Sequence, residues 1–306
     1  CKPLRMLRLL QGDVGSGKTI VAMISILAAI YNNKQAALMV PTEILANQHF
    51  ESFLSLLPKF LKIDLLTGKT SKRDKEKIYK KIENGDTDII IGTHALFQEK
   101  LNFKNLGFVA IDEQHKFGVH QRLLLTSKNN NLLPDILLMT ATPIPRTLEL
   151  TTYGSMSVSK ITEKPVGRQS IKTAAKPITK LEETIISLKK TIKQNKKIYW
   201  VCPLIEESEK IDLAAAQQRY EALQKCYPNN VLLIHGKMKS DERDEIMNKF
   251  KYGKTKILVS TTVIEVGIDI PEATVMVIEH AERFGLSQLH QLLSLIHISE
   301  PTRRWS

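Results

Sequence analysis

A glycine-rich stretch near the start of the chain has the residue types that bind a phosphate chain. Residues 12–19, Gly-Asp-Val-Gly-Ser-Gly-Lys-Thr, follow the spacing G-x-x-x-x-G-K-T, in which glycines let backbone N–H groups surround an anionic phosphate. Lys18 can reach the β- and γ-phosphates of a nucleotide, and the Thr19 hydroxyl can bind Mg²⁺. The pattern therefore predicts a nucleotide-binding loop, whose contacting residues are Gly12, Asp13, Gly15, Ser16, Gly17, Lys18 and Thr19.

Two acidic residues lie where a metal ion and a water molecule could be held. Asp112 and Glu113 directly follow the apolar run Phe108–Ile111, which predicts a buried strand with carboxylates at its carboxyl end. Downstream of a phosphate-binding loop, Asp112 is the expected Mg²⁺ ligand, and Glu113 is placed to orient and activate an attacking water. Together with Lys18 they are the predicted catalytic residues.

A third polar group follows another predicted strand. Ile136–Met139 is followed by Thr140, Ala141 and Thr142, and the two hydroxyls suit a hydrogen-bonded relay between the nucleotide site and another surface. A plain turn out of the strand is the alternative that these residues alone leave open.

The segments that must position these residues alternate between short apolar runs and amphipathic stretches. This alternation is typical of βαβ units, and it predicts an α/β fold with mostly parallel sheets flanked by helices. Strands are predicted at Leu7–Leu10, Ala36–Val40, Ile63–Leu66, Asp88–Ile91, Phe108–Ile111, Ile136–Met139, Ile198–Cys202, Val231–Ile234, Lys256–Ser260 and Thr274–Ile278. Helices are predicted at Ile20–Ile30, Ile44–Leu57, Leu181–Lys193, Ile211–Cys226 and Asp241–Phe250.

A break in this alternation divides the chain. Weak periodicity with Pro165 and Gly167 marks residues 157–177 as a linker. The alternation restarts after it without a second phosphate-binding loop, so two lobes with one nucleotide site are predicted. The lobes occupy residues 1–156 and 178–293, and residues 294–306 form a tail.

The charge of the chain favours an anionic partner. Lys and Arg number 44 against 32 Asp and Glu, which gives a net charge of +12 over 306 residues, and nucleic acid is the first candidate. The basic run Lys69–Lys81 could contact phosphates, although a solvated helix face is the favoured interpretation.

Composition argues against several other classes of protein. The three cysteines, Cys1, Cys202 and Cys226, include no C-x-x-C pair, so neither a disulfide framework nor a zinc site is predicted. The longest apolar stretch, Ile20–Ile30, is too short to span a bilayer. No signal peptide is visible, so a cytoplasmic protein without membrane contact is expected. The chain begins at Cys1, which suggests a fragment of a longer protein.

Four longer strings resemble the superfamily 2 helicases of the RecG family. They are RLLQGDVGSGKT at 8–19, DEQHKFGV at 112–119, MTATPIPRTL at 139–148 and ERFGLSQLHQL at 282–292. The resemblance implies two RecA-like lobes and a motor in which ATP hydrolysis, with Mg²⁺, drives movement on branched or duplex DNA during recombination and repair. It also suggests a monomer, with a single-stranded DNA-binding protein as a further partner.

The same resemblance implies roles for residues outside the phosphate-binding loop. Contacts to the nucleic-acid backbone are implied for Pro41, Thr42, Glu43, Thr93 and His94, and a position near the DNA for Thr261 and Thr262. From the second lobe, Gly267 and Asp269 are implied to face the ATP. Coupling of hydrolysis to movement is implied for His115, Thr140, Thr142 and Gln291.

A second family is close to this pattern. The translocase module of transcription-repair coupling factors shares the string Thr-Ala-Thr-Pro-Ile-Pro-Arg-Thr, and its partner would be RNA polymerase. Gln11, Ser16 and Gln114 favour the RecG family.

The chain departs from the family pattern after Leu292. RecG-type helicases continue with Arg-Gly-Arg-Val-Gly-Arg, and two of these arginines stabilise charge on the transferring phosphoryl group. Leu295 and Ile298 occupy those two positions here, and neither can donate a hydrogen bond. A catalytically inactive nucleic-acid-binding module is therefore an alternative. Residues 294–306 resemble a foreign reading frame and are expected to be poorly packed.

Overall fold

The chain folds into two compact units, Cys1–Lys164 and Pro165–Ser306. The computed structural model describes residues 5–13, 15–97, 101–112, 133–141, 156–163, 171–203, 209–261, 270 and 272–296. Each unit contains a parallel sheet flanked by helices, which confirms the predicted α/β class with two lobes. Within the described ranges, no helix has the length and apolar character needed to cross a membrane.

The first unit is built on a sheet of seven described strands. In chain order they are β1 (Leu7–Gly12), β2 (Gln35–Met39), β3 (Ile63–Leu66), β4 (Ile89–Gly92), β5 (Leu106–Ile111), β6 (Asp135–Thr140) and β7 (Ser157–Ile161). The order across the sheet is β3-β4-β2-β5-β6-β1-β7, and the strand pairs are parallel. The helices are α1 (Lys18–Tyr31), α2 (Glu43–Leu56) and α3 (Lys72–Asn84), with a short 3₁₀ helix at His94–Phe97.

Both faces of this sheet are buried, which explains why its central strands are continuous apolar runs. On one face Leu38 packs in a cluster with Ile26 of α1 and Phe53 of α2. On the other face Met39 packs in a cluster with Ile82 of α3. Because the strands are parallel, their carboxyl ends meet at one edge, which is where ligands bind in open α/β sheets.

The second unit repeats this architecture with four described strands. They are β8 (Lys197–Val201), β9 (Val231–Ile234), β10 (Ile257–Ser260) and β11 (Ala273–Ile278), in the parallel order β11-β8-β10-β9. Its helices are α4 (Leu181–Lys193), α5 (Glu209–Cys226), α6 (Ser240–Tyr252) and α7 (Leu286–Ser294), with 3₁₀ helices at Ile178–Lys180 and Ala281–Arg283. The core cluster joins Trp200 and Val259 of the sheet to Leu188 of α4 and Leu223 of α5.

An ion pair in the second unit is partly buried. Arg219 of α5 donates two hydrogen bonds to the carboxylate of Glu279, which also accepts one from the Trp200 indole. The Arg219 guanidinium lies 5.5 Å from the centre of the Trp200 ring. Burial, and then the charge of Glu279, raises the pKa of the neighbouring Cys202 thiol to about 12.

A lysine is also buried in this unit. Lys197 begins β8 and is 4% exposed. Its ammonium donates to the backbone carbonyls of Phe250 and Lys251 near the end of α6, where a cation offsets the helix dipole. Burial lowers the pKa of Lys197.

The predicted linker is wrong at its start. Ser157–Ile161 form β7, which pairs with β1 and extends the first sheet. This strand is mostly exposed, as an edge strand can be, so it lacks the apolar run from which a strand is predicted. The other predicted strands and helices are present, with ends that differ from the prediction by at most two residues.

The packing expected after residue 293 is also wrong where the structure describes it. Leu295 and Ile296 are 3% and 4% exposed, and they follow α7, a helix that no sequence pattern predicted. With the buried Leu292 they recur at the spacing of one helical face, which explains their burial. Residues 297–306 lie outside the described residues.

Candidate nucleotide-binding site

The predicted phosphate-binding loop connects β1 to the first turn of α1. Gly15 and Gly17 have φ angles of 76° and 92°, in the left-handed region that glycine enters without steric cost. A Cβ on Gly12 would stand 2.5 Å from the Ser16 Oγ. Glycine at these positions therefore permits a tight turn and a close approach of the loop to itself.

Lys18 is the first residue of α1, and its side chain folds back over the loop. Its Nζ donates hydrogen bonds to the carbonyl oxygens of Gly12 (2.7 Å) and Asp13 (2.9 Å). The ammonium thus lies beside the loop, within reach of an anion bound by the loop N–H groups.

The N-terminus of α1 differs from those of α2, α3, α4 and α6. Its N-cap is Gly17, which provides no side-chain cap, and its first turn contains no acidic residue. The other four helices each carry Asp or Glu in the first turn, where a carboxylate offsets the helix dipole. A helix N-terminus without a side-chain cap or an acidic first turn is suited to bind an external anion.

Asp112 follows β5 at the carboxyl edge of the same sheet. Its backbone N–H donates to the Met39 carbonyl at 2.8 Å, and its side chain is 15% exposed. Only β6 separates β5 from β1, and α1 packs against β5. The structure therefore brings the predicted phosphate loop and the predicted metal ligand to one edge.

His49 of α2 contacts Asp112, although no motif marks it. The His49 Nε2 lies 3.3 Å from the Asp112 Oδ2, and His49 is 8% exposed. The buried face of α2 consists of Leu45, Ala46, His49 and Phe53. A single polar residue in an otherwise apolar stripe is a sequence signal for a buried histidine, although it does not identify Asp112 as the partner.

The residues at this edge suit a nucleotide with Mg²⁺. Proteins usually hold Mg²⁺ with one or two carboxylates, and substrate phosphates and water complete the coordination. Asp112 has a carboxylate of this kind, and Thr19 has the hydroxyl that the phosphate-loop pattern predicts as a further ligand. The Ser16 Oγ is buried without a hydrogen-bond partner among the described residues, and it can donate to a bound anion. In the described part of the chain, no cluster of three or more His, Cys, Asp or Glu side chains could hold a metal by itself.

Residues with implied nucleic-acid contacts follow β2. Pro41 precedes Thr42, which caps α2 by accepting a hydrogen bond from the Leu45 N–H (3.3 Å). The Glu43 carboxylate accepts a hydrogen bond from the Lys69 N–H (3.0 Å) and lies 3.5 Å from the Lys69 Nζ. Because a carboxylate repels phosphate, the contribution that the structure gives to Glu43 is to hold the turn at Lys69.

Further residues of this kind follow β4 and β10. Thr93 is 1% exposed, His94 is exposed at the start of a 3₁₀ helix, and Thr261 is 3% exposed. Neither threonine hydroxyl has a hydrogen-bond partner within the described residues. At the end of β9, burial lowers the pKa of His235. Both sheets therefore have buried hydroxyls at their carboxyl edges.

Two family models match the chain in succession. The DEAD/DEAH box helicase model matches residues 6–151, and the helicase conserved C-terminal domain model matches residues 178–296. The ATP-dependent DNA helicase RecG of Aquifex aeolicus (strain VF5) is 53% identical over 94% of this chain and 36% of that protein. RecG of Bacillus subtilis (strain 168) is 50% identical over 95% of this chain and 43% of that protein. The chain belongs to the RecG family of helicases.

Solved structures agree with this membership. A structure of RecG bound to a three-way DNA junction matches with a TM-score of 0.78 and 44% identity. The match covers 96% of this chain and 38% of the RecG chain in that structure. Mss116p bound to single-stranded RNA and AMP-PNP has a TM-score of 0.70 at 17% identity, over 96% of this chain and 64% of that one, and shows the fold alone. The RecG-family chain spans about two fifths of the curated relatives that it matches. These relatives favour the RecG family over the transcription-repair coupling factors.

Several predicted residues of the RecG-family chain lie outside the described residues. Thr140 is described: it ends β6, is 1% exposed, and is the Cα partner of Gln11 in β1, so it lies beside the residue that precedes the phosphate loop. Gln291 belongs to α7, although its side chain is not described. The undescribed residues are Glu113, His115, Thr142, Thr262, Gly267 and Asp269.

The basic run forms most of α3, as the favoured interpretation predicts. Ile82 is the buried residue of this helix, and most of the lysines are exposed. Lys77 pairs with Asp74 and Lys81 with Asp64. The solvated helix face is confirmed, and contact with phosphates stays a prediction.

Proposed function

We propose that this chain is the motor core of an ATP-dependent DNA helicase that remodels branched DNA. The observation that carries the proposal is the placement of Lys18 and Asp112 at one edge of a parallel sheet, beside a helix N-terminus without an acidic first turn. Phosphoryl transfer requires positioned phosphates and neutralised charge more than covalent chemistry by the protein. This edge has the groups for both.

Each predicted residue at the site has a defined task. Lys18 and the N–H groups of the loop bind the β- and γ-phosphates, and Thr19 and Asp112 hold Mg²⁺. When bound, the metal neutralises charge on the phosphate oxygens. Glu113 orients the attacking water and accepts its proton. The water oxygen bonds to the γ-phosphorus as the bond to the ADP oxygen breaks.

Coupling to DNA belongs to a second set of residues. We assign Gly267 and Asp269 to nucleotide contact from the second unit, and His115, Thr142 and Gln291 to coupling. Thr140 has the strongest structural support among the coupling residues, because its strand pairs with β1 directly before the phosphate loop.

DNA is the substrate that the charge of the chain supports. The net charge is +12, and a relative has been solved on a three-way DNA junction. Backbone phosphates would meet the carboxyl ends of β2, β4 and β10, near Thr42, His94 and Thr261. We further propose a monomer acting in the cytoplasm, with a single-stranded DNA-binding protein as an additional partner.

A second candidate function rests on Leu295. Its side chain is 3% exposed and apolar, and it stands where the family has an arginine that stabilises the transferring phosphoryl group. A chain that binds nucleotide and DNA without turnover would result. Arginine fingers contribute about 10³-fold or more to turnover, so this one difference is large enough to decide between the two candidates.

The test is ATP hydrolysis by the full chain, with and without three-way junction DNA. Turnover that is stimulated by the junction and lost in Glu113→Gln supports the motor. Turnover confined to a Leu295→Arg/Ile298→Arg variant supports the second candidate for the chain as it stands and the motor for its family. Absence of turnover in both, together with nucleotide binding that is indifferent to Lys18→Ala, would contradict the proposal.

A further inference from the structure

His49 is the residue whose placement the proposed reaction leaves unexplained. It lies on the sheet-facing side of α2, between Leu45 and Ala46 on one side and Phe53 on the other. The cost of burying an imidazole on such a face is offset only if its ring nitrogens have polar partners. The Asp112 Oδ2, 3.3 Å from the His49 Nε2, is such a partner.

The contact restricts the Asp112 carboxylate from a second direction. The backbone of Asp112 is fixed by its N–H bond to the Met39 carbonyl in β2, and this bond by itself does not set the torsion angles of the side chain. A donor on α2 holds one oxygen, so the orientation of the other is set as well. Both side chains are largely buried, at 11% and 15% exposed, where water competes weakly for the carboxylate.

We infer that His49 is a positioning residue for Asp112, which it orients to bind the Mg²⁺ that accompanies the nucleotide. The inference rests on the proposed function. Carboxylates that bind metals are commonly held by an outer hydrogen bond, and loss of such a partner typically lowers metal affinity 10- to 100-fold. His49 acts through Asp112 and does not touch the nucleotide.

The same helix connects this contact to the predicted nucleic-acid surface. Thr42 caps α2, and Glu43 in its first turn holds the turn at Lys69. His49 lies six residues beyond Glu43, which is about 9 Å along a helix that rises about 1.5 Å per residue. One rigid element therefore carries both a predicted DNA-facing turn and the support of the predicted metal ligand.

A structural role is the rival explanation, and two variants separate it from positioning. His49→Leu keeps a similar volume but removes the donor. In His49→Gln, the side-chain Nε2 can occupy roughly the place of the imidazole Nε2 and donate to Asp112. A purely structural histidine predicts similar losses in both variants, whereas a positioning donor predicts rescue by glutamine.

The experiment measures binding of a fluorescent N-methylanthraniloyl ADP to the full chain, first in EDTA and then during a titration with Mg²⁺. His49→Leu is expected to leave the metal-free affinity unchanged and to raise the Mg²⁺ concentration at half-effect by about tenfold. His49→Gln is expected to stay close to the unaltered chain. The matched control is His280→Leu, which removes the exposed His280–Glu282 contact of 3.1 Å in the second unit and should change neither value.

The outcomes distinguish this inference from the proposed function. An unchanged Mg²⁺ dependence in His49→Leu, or an equal loss in His49→Gln, would overturn the positioning role while nucleotide binding stands. If the unaltered chain binds the nucleotide no better than Lys18→Ala, the proposed function fails, and the inference fails with it.

Discussion

The two units share one architecture but treat their charged residues differently. In the first unit, Lys18 and Asp112 lie at the carboxyl edge of the sheet, beside a loop of glycines and a helix N-terminus without an acidic first turn. In the second unit, Arg219 donates two hydrogen bonds to the Glu279 carboxylate, which accepts another from Trp200. The first arrangement suits an external anion, whereas in the second the two charges are paired with each other.

This difference separates chemistry from stability. Removal of a charged side chain that binds a ligand should lower the affinity for that ligand, with little effect on folding. A charge that is enclosed by its own partners should affect folding, because removal of one partner leaves the other buried and unpaired. Four changes test whether the two units follow this rule.

The largest effect is expected at the partly buried ion pair of Arg219 and Glu279. Glu279→Ala leaves Arg219 without its carboxylate, and the second unit should lose about 3 kcal/mol of unfolding free energy. Urea unfolding followed by Trp200 fluorescence, with Trp305→Phe to remove the other tryptophan, measures the loss. Nucleotide affinity should not change.

A matched double variant sharpens this result. In Arg219→Met/Glu279→Leu neither charge is left unpaired, so much of the lost stability should return. A double variant as unstable as Glu279→Ala would show that packing around Trp200, and not the unpaired charge, causes the loss.

The next effect is expected at the phosphate loop. Lys18→Ala removes charge-assisted hydrogen bonds to phosphate, and nucleotide affinity should fall by about 2–3 kcal/mol, or roughly 30- to 150-fold. Titration calorimetry with ADP and Mg²⁺ measures the affinity, and urea unfolding should give a stability that differs little from that of the unaltered chain. A large loss of stability would show that Lys18 supports folding as Arg219 and Glu279 do, and would contradict the difference between the two units.

A smaller, pH-dependent effect is expected at Lys197. Burial lowers its pKa below the ordinary value of 10.5, so the unfolded state binds the proton more tightly than the folded state does. Stability of the second unit should therefore rise with pH between the lowered folded pKa and 10.5. Comparison of urea unfolding at pH 7 and pH 10.5 should show less of this rise in Lys197→Met, and an identical rise would assign it to another group.

The smallest effect concerns the Cys202 thiol, which belongs neither to the candidate nucleotide site nor to the ion pair. With a pKa of about 12 in the folded state, Cys202 should stay protonated and unlabelled by iodoacetamide at pH 8, because the thiolate is the nucleophile. The exposed Cys226 should be labelled under the same conditions. Peptide mass spectrometry checks both, and rapid labelling of Cys202 would show that its surroundings open.

The fold was largely accessible from the sequence because both sheets are parallel and buried. Their strands appear as uninterrupted apolar runs, such as Phe108–Ile111, and turns or polar residues mark their ends. The edge strand β7 was missed because it is mostly exposed, and exposure removes the apolar signal. Leu295 and Ile296 show the converse. They lie at helical spacing from the buried Leu292, so they are buried although residues 294–306 resemble a foreign reading frame.

The site was accessible where chemistry imposes a fixed spacing. Residues 12–19 and Asp112 belong to patterns that phosphate and Mg²⁺ demand. His49 was not accessible in this way, because its contact joins α2 to the end of β5 across 63 positions of the chain. Only the register of α2 against the sheet reveals which polar residue meets the carboxylate.

Hydrogen exchange of the full chain with and without ADP and Mg²⁺ shows directly which unit binds the nucleotide. Slower amide exchange is expected at residues 12–20 and 106–112, with no change at 197–203 or around Arg219. The protection should disappear in Lys18→Ala. Protection that is absent from the loop, or that persists in Lys18→Ala, would contradict the claim that this edge of the first sheet is where the nucleotide binds.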